Sequence, residues 1–199
     1  MRLYNALILP LLCHEVAVFR LTKAELHSLE ALHRSHLRCL LGVHFPRIIS
    51  NVAVYRRSGA KHLGTHIVRQ RWNLFGRAMR LPALHRTVRE MADHFASPKR
   101  YKRGVAEQVE EEAEQLARLR LRDAEGFWAL RDMAGKRASW RPLVKLVSRR
   151  WERRCVRQDR IDFREGHVKR LVAKRRRPLR GQLFERKPKR VRWEVVGGC

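Results

Sequence analysis

Apolar positions along this chain recur at three- and four-residue steps, and no stretch alternates long enough to propose a strand. Residues 3–12 are apolar and predict a short buried helix that Pro10 should bend or end. Thr22 suits a helix N-cap, and Glu25 three residues on completes a capping box. From there Leu26, Leu29, His33, Leu37 and Leu40 define one buried face, Gly42 closes the helix, and Pro46 prevents early resumption. A short helix is predicted after Ser50, ending near Ser58-Gly59. A longer one is predicted from about Thr65 to Arg80, with Ile67, Trp72, Phe75 and Met79 set between Arg69, Arg71, Arg77 and Arg80 and with Pro82 marking its end. A further amphipathic stretch runs through Val88, Met91 and Phe95.

The segment from Ser97 to Gly104 reads as a linker and the best domain boundary. Residues 105–122 predict a helix with Val105, Val109, Ala113 and Leu116 on one face; its glutamates come first and Arg118, Arg120 and Arg122 last, an order that complements the helix dipole. A final helix from about Ser139 carries Trp140, Leu143, Leu146, Val147 and Trp151 through dense arginine. Beyond Lys174 apolar anchors are few, which predicts a disordered basic arm. The expected fold class is all-α: an irregular helical bundle followed by an extended basic C-terminal arm. The expected division is a helical region 1–96, a linker 97–104, a basic helical region 105–173 and a tail 174–199.

Charge changes the picture most. The 199 residues hold 46 Lys plus Arg against 19 Asp plus Glu, a formal net charge of +27. It is unevenly spread: residues 1–100 carry 17 basic and 5 acidic groups, 101–139 carry 8 of each, and 140–199 carry 21 and 6. Two basic regions around a neutral spacer argue against uniform solubilising charge. A compact body so charged repels itself unless a polyanion relieves it, and nucleic acid is the usual polyanion because each neutralised phosphate releases counterions. An anionic membrane surface is the other candidate, but the longest apolar run, Ala6 to Cys13, is too short to span a bilayer or serve as a signal peptide. Cys13, Cys39, Cys155 and Cys199 lie far apart with no CxxC pair, giving neither a disulfide framework nor a zinc knuckle.

Candidate chemistry is thin. His33, His36 and Cys39, with His27 nearby, sit at helical spacing but lack a complete ligand set, so they read as core or surface residues. Cys13-His14-Glu15 is not a catalytic trio, since nucleophile and base normally come from separate elements. Asp159 and Asp162 are flanked by Arg157, Arg160 and Arg164, which favours local ion pairing over two-metal chemistry. No catalytic residue, metal or cofactor is expected. The clusters Lys174-Arg175-Arg176-Arg177-Pro178 and Lys187-Pro188-Lys189-Arg190 suit an importin-type groove or a phosphate backbone, or are a solvated tail. On the 65–80 helix two readings are open: Trp72 and Phe75 stack on bases, or they are core while the arginines face outward to phosphates.

Taken together, residues 4–82 resemble the segment that follows the polymerase core in non-LTR (LINE-like) retrotransposon reverse transcriptases. Tyr4 to Leu12 resembles that family's "LLYG" region, His36-Leu37-Arg38-Cys39-Leu40-Leu41-Gly42-Val43 its "LR-iLgv", and Ile49-Ser50-Asn51 its "isN". Ile67 to Pro82 is similar to its "I-rrRlr-lGHv-RMP", through Arg69, Arg71, Trp72, Gly76, Arg80 and Pro82, with Arg77 where the family has histidine. The resemblance spans about two fifths of the chain. No two aspartates are adjacent, so the paired-aspartate polymerase motif is absent; the resemblance places fingers and palm upstream of Met1 and implies a truncated, non-catalytic fragment. It further implies contact with template RNA or target DNA, carried by Arg38, Asn51, Arg69, Arg71 and Arg80. Asn51 could equally cap the following helix, and Arg38 could pair with Glu30 or Glu25. The functional expectation is low-specificity binding of RNA or DNA through Arg38, Arg69, Arg71, Arg77, Arg80 and Lys174 to Arg177, with a nuclear location through importin if the tail targets the chain and a cytoplasmic one otherwise. The alternative is a helical protein-interaction module, or a relic reading frame, with a basic tail. Without a polymerase core, residues 3–21 are expected to expose an apolar patch.

Overall fold

The computed structural model describes residues 1–44, 49–96, 104–119, 121 and 124–176. Among them there are eight α-helices and no strand, so the all-α class holds. The helices are α1 (Leu9–His14), α2 (Lys23–Leu40), α3 (Asn51–Ser58), α4 (Leu63–Met79), α5 (Arg86–Ala96), α6 (Val105–Glu112), α7 (Ala124–Gly135) and α8 (Arg137–Arg176).

Local chemistry accounts for most boundaries. The Thr22–Glu25 capping box forms in both directions at the start of α2. At its end Val43 N–H bonds to Arg38 O and Gly42 N–H to Cys39 O, with Gly42 left-handed at φ 64°, a Schellman closure that needs glycine. Ser50, rather than Asn51, caps α3 by accepting from Ala53 N–H. Pro10 neither ends nor breaks the first helical run: it sits in the first turn of α1, where its missing N–H is least felt, and a π turn over Tyr4–Ile8 precedes it.

Two expectations are corrected in the middle of the chain. The helix over 105–122 stops early: α6 passes into a π turn at Ala113–Ala117, and Arg118 turns left-handed at φ 61° so that Leu119 N–H bonds back to Ala113 O. Arg118 therefore lies beyond the helix rather than in its last turn. α7, whose bounds within the expected helical region 105–173 the sequence does not mark, places Phe127, Leu130 and Ala134 on one buried face.

α4 is the axis of the body formed by residues 1–163, and ten of its seventeen residues are buried. Its first half, through Leu63 and Ile67, joins Tyr4, Leu9, Cys13, Leu37, Val54 and Tyr55 in one apolar cluster. The remainder, through Val68, Trp72, Phe75 and Met79, joins a larger cluster with α5, α6, α7 and α8. This second cluster unites side chains from both sides of the expected 97–104 linker, so the linker does not separate two cores. Two tryptophans of α8 seat on α4 glycines: a Cβ on Gly64 would lie 2.7 Å from Trp151 Nε1, and one on Gly76 would collide with the Trp140 indole. The pairing order makes α4 and α8 antiparallel, with flat rings set between their backbones.

The unit beginning at Arg164 is described as the C-terminal part of α8, which runs to Arg176. Lys174, Arg175 and Arg176 thus belong to helix rather than to an extended arm; Arg177 and the rest of the expected arm lie outside the described residues, as do 97–103 of the linker.

Candidate nucleic-acid interface

The exposed edge of α4 and the outer face of α8 bound a cleft of about 730 Å³. The α8 wall follows from sequence periodicity: Trp140, Val144, Val147 and Ser148 turn inward, which turns Arg141, Lys145, Arg149 and Arg153 outward in a row at four-residue steps. That row extends about 18 Å at 1.5 Å per residue. Lys61 and Arg69 supply the opposite wall. Among the described residues six cations therefore face one cleft, against the one carboxylate of Glu152.

That carboxylate is already committed. His62 donates from Nδ1 to Glu152 Oε1 (2.9 Å) and from Nε2 to Asp159 Oδ2 (3.0 Å), while its backbone N–H and the Thr65 hydroxyl donate to Glu152 Oε2. Burial pulls the His62 imidazole down, but the hydrogen bonds to Asp159 and Glu152 outweigh it and raise the pKa to about 9. Burial raises the Glu152 carboxyl, and the His62 and Thr65 hydrogen bonds more than reverse this. Asp159 thus pairs with a histidine 97 residues away, which corrects the expectation of local pairing with Arg157, Arg160 or Arg164.

A second cleft, of about 460 Å³, lies on the other side of the α4 edge and brings Arg77 together with Asn5, Pro10 and Cys13. His66, Arg69 and Asn73 line both clefts, so the α4 edge is a polar ridge between them. Burial, with His33 and Lys61 nearby, lowers the His66 pKa to about 4, leaving a neutral imidazole able to donate and accept at pH 7.

The arginines expected to contact phosphate thus divide. Arg69 and Arg77 are exposed on the ridge. Arg80 is exposed just past the end of α4, with one N–H given to Ala134 O (3.1 Å). Arg38 lines neither cleft; its guanidinium donates to Asn51 Oδ1 (2.7 Å) and ties α2 to α3, in place of the expected pairing with Glu30 or Glu25. Asn51 is the acceptor in that tie.

Arg71 is a correction. It is only 2% exposed, forms an ion pair with Glu112, and donates to the Ala17 and Phe19 carbonyls, fastening α4 to α6 and to the segment after α1. A phosphate cannot reach it. The signal was present in the sequence: Arg71 sits four residues after Ile67 and four before Phe75, in the middle of the buried row. Trp72 and Phe75 are core as well, with Trp72 Nε1 donating to Glu112 Oε2 (2.8 Å), so neither stacks on bases.

His33 of α2 is structural. Lys61 O can only accept, so His33 donates to it from Nε2 (3.1 Å) and receives the Tyr4 hydroxyl at Nδ1 (2.7 Å). Cys13 is buried, and burial, with Glu30 nearby, pushes its thiol up to about 11, away from nucleophilic thiolate. Among the described residues no group of three His, Cys, Asp or Glu could hold a metal ion, and no helix is long and apolar enough to cross a membrane. No protein-family profile, curated protein or solved structure matches this chain.

Proposed function

We propose that this chain binds nucleic acid without catalysing a reaction on it, holding RNA template or target DNA by its phosphates. The carrying observation is the convergence of Lys61, Arg69, Arg141, Lys145, Arg149 and Arg153 on one cleft whose one carboxylate among the described residues, Glu152, is spent on His62. Cations held on two rigid helices repel one another, and a threaded polyanion relieves that repulsion while releasing its counterions. The cations of the lining meet phosphates, which carry no base information, so binding in the cleft is of low sequence specificity. The motif resemblance to the post-core segment of non-LTR retrotransposon reverse transcriptases supports the same reading.

The test is a fluorescence-anisotropy titration of labelled oligonucleotides at rising salt, comparing the native chain with a triple Arg141→Ala, Lys145→Ala, Arg149→Ala variant. The native chain should lose affinity steeply with salt. The variant should bind more weakly, with a salt slope shallower by about 2–3, since each lost phosphate contact removes about 0.7–0.9. A variant with unchanged affinity and slope would overturn the reading. The clusters from Lys174 to Pro178 and Lys187 to Arg190 are a second basic segment whose chemistry suits phosphate or an importin-type groove. Deleting residues 174–199 should weaken binding and reduce nuclear accumulation of a tagged chain; unchanged localisation removes the importin role.

A further inference from the structure

We infer that Trp128 is a stacking platform for an unpaired nucleobase, placed where the α4 ridge ends; the inference rests on the nucleic-acid reading above. On α7 the buried face is Phe127, Leu130 and Ala134, all at most 1% exposed. Trp128, about a quarter turn from Phe127, shares a neighbouring face with Arg131, Asp132 and Gly135, at three-, four- and seven-residue steps. A large indole thus stands on the polar side of an amphipathic helix, with 45% of its surface exposed.

Its surroundings are ordered and cationic. The Arg131 guanidinium lies over the ring, 5.2 Å from its centroid, and is fixed in place by donating to Met79 O (3.0 Å) and Leu81 O (2.8 Å) at the end of α4. Phe127 meets the indole edge-on at 5.3 Å, bracing it from the core. The indole, Arg80, Arg131 and Lys136 line one cleft of about 580 Å³; its carboxylate, Asp132, is paired with Lys136. Such a site offers a flat apolar surface backed by a cation, with further cations around it. A nucleobase with a flanking phosphate matches that chemistry. A paired base inside a duplex presents no free face, so the site selects single strands.

The approach to the site is also built. His66, Arg69, Asn73, Arg77 and Arg80 follow one another at three- and four-residue steps, so a backbone tracking the ridge is delivered to Trp128 after about 21 Å. Phosphate contacts along the ridge serve any strand, whereas the indole adds affinity only for one with an accessible base.

The experiment uses the full chain, a thymidine 20-mer, a blunt two-strand duplex of about equal phosphate number, and a 20-mer that is abasic throughout. Trp128→Ala should weaken binding of the thymidine strand roughly fivefold to tenfold, leave the duplex unchanged and leave the salt slope unchanged. Trp128→Phe should recover most of the loss. The native chain should bind the abasic strand about as weakly as Trp128→Ala binds the intact one, a readout that involves no altered protein. Equal losses for strand and duplex, or native binding of the abasic strand at full affinity, would overturn the inference. If the cleft triple variant binds weakly while Trp128→Ala is silent, the inference alone fails. If the triple variant binds normally, the nucleic-acid reading fails and takes the inference with it.

Discussion

The two apolar clusters strung on α4 hold one helix by different chemistry. At its N-terminal end the cluster is small and is completed by buried polar links. Tyr55 and Gly64 N–H both donate to Glu30 (2.7 and 2.8 Å), Tyr4 and Lys61 O bracket His33, and His62 spans Glu152 and Asp159 while lying 3.9 Å from the Tyr55 ring. At the C-terminal end Trp72, Phe75, Phe95, Phe127 and Trp140 pack in ring contact, and among the described residues one ion pair, Arg71–Glu112, crosses the interior. The first end holds histidines with shifted pKa, His62 raised and His33 and His66 lowered, whereas the second is built from aromatic rings around an ion pair. A polar core makes stability conditional on pH, whereas an aromatic core makes it conditional on shape.

The largest effect is expected where the aromatic end depends on charge. Glu112→Ala leaves Arg71 buried without its counterion and Trp72 without its acceptor, and should cost about 3–5 kcal/mol in denaturant melts. A loss below about 1 kcal/mol would show that water reaches Arg71. Gly76→Ala tests shape at the same end: the new methyl meets the rigid Trp140 indole, so about 1–3 kcal/mol should be lost, partly restored by Trp140→Phe.

The polar end should show a stability maximum near pH 6.5–7. His62 has a folded pKa of about 9, above its unfolded value of 6.5, so its contribution is complete below 6.5 and is lost as pH rises through 9. His66, lowered to about 4, and His33, also lowered by burial, act in reverse: stability is complete above 6.5 and falls as they are forced to protonate below it. His62→Ala should therefore cost about 2 kcal/mol at pH 7 and little at pH 10, in thermal melts across pH. A cost that does not change with pH would refute the ionic clamp. The smallest effect concerns the N-terminal face, where Leu3, Leu7 and Leu11 stand exposed at four-residue steps. Leu7→Gln with Leu11→Gln should change stability by less than about 0.5 kcal/mol per site yet reduce light scattering at high concentration.

Local grammar carried much of the fold into legibility. The Thr22–Glu25 box, the Gly42 closure, the bounds of α3 and the Pro82 stop after α4 are decided within a few residues, and all were readable. What was lost depended on partners distant in sequence. Nothing near Asp159 announces His62, and Arg71 reads as one more surface arginine until Glu112 arrives from α6. The cleft was half legible: Arg69 was singled out, but the α8 row of Arg141, Lys145, Arg149 and Arg153 was not, although its four-residue step is plain beside Trp140, Val144 and Val147. Trp128 is not legible because the sequence sets no helix bounds around it within the helical region 105–173, and without bounds there is no polar face for an aromatic to violate.

The indoles seated on Gly64 and Gly76 have a consequence for how the cleft responds to its medium. Its two walls carry like charge, and in dilute buffer, where screening extends to about 30 Å, they push each other apart. Walls joined by flexible side chains would spread under that load, and the slot would widen or narrow with ionic strength. Planar rings notched into backbone act as a fixed gauge between α4 and α8. Salt can then alter how strongly the slot attracts a strand while leaving its width unaltered.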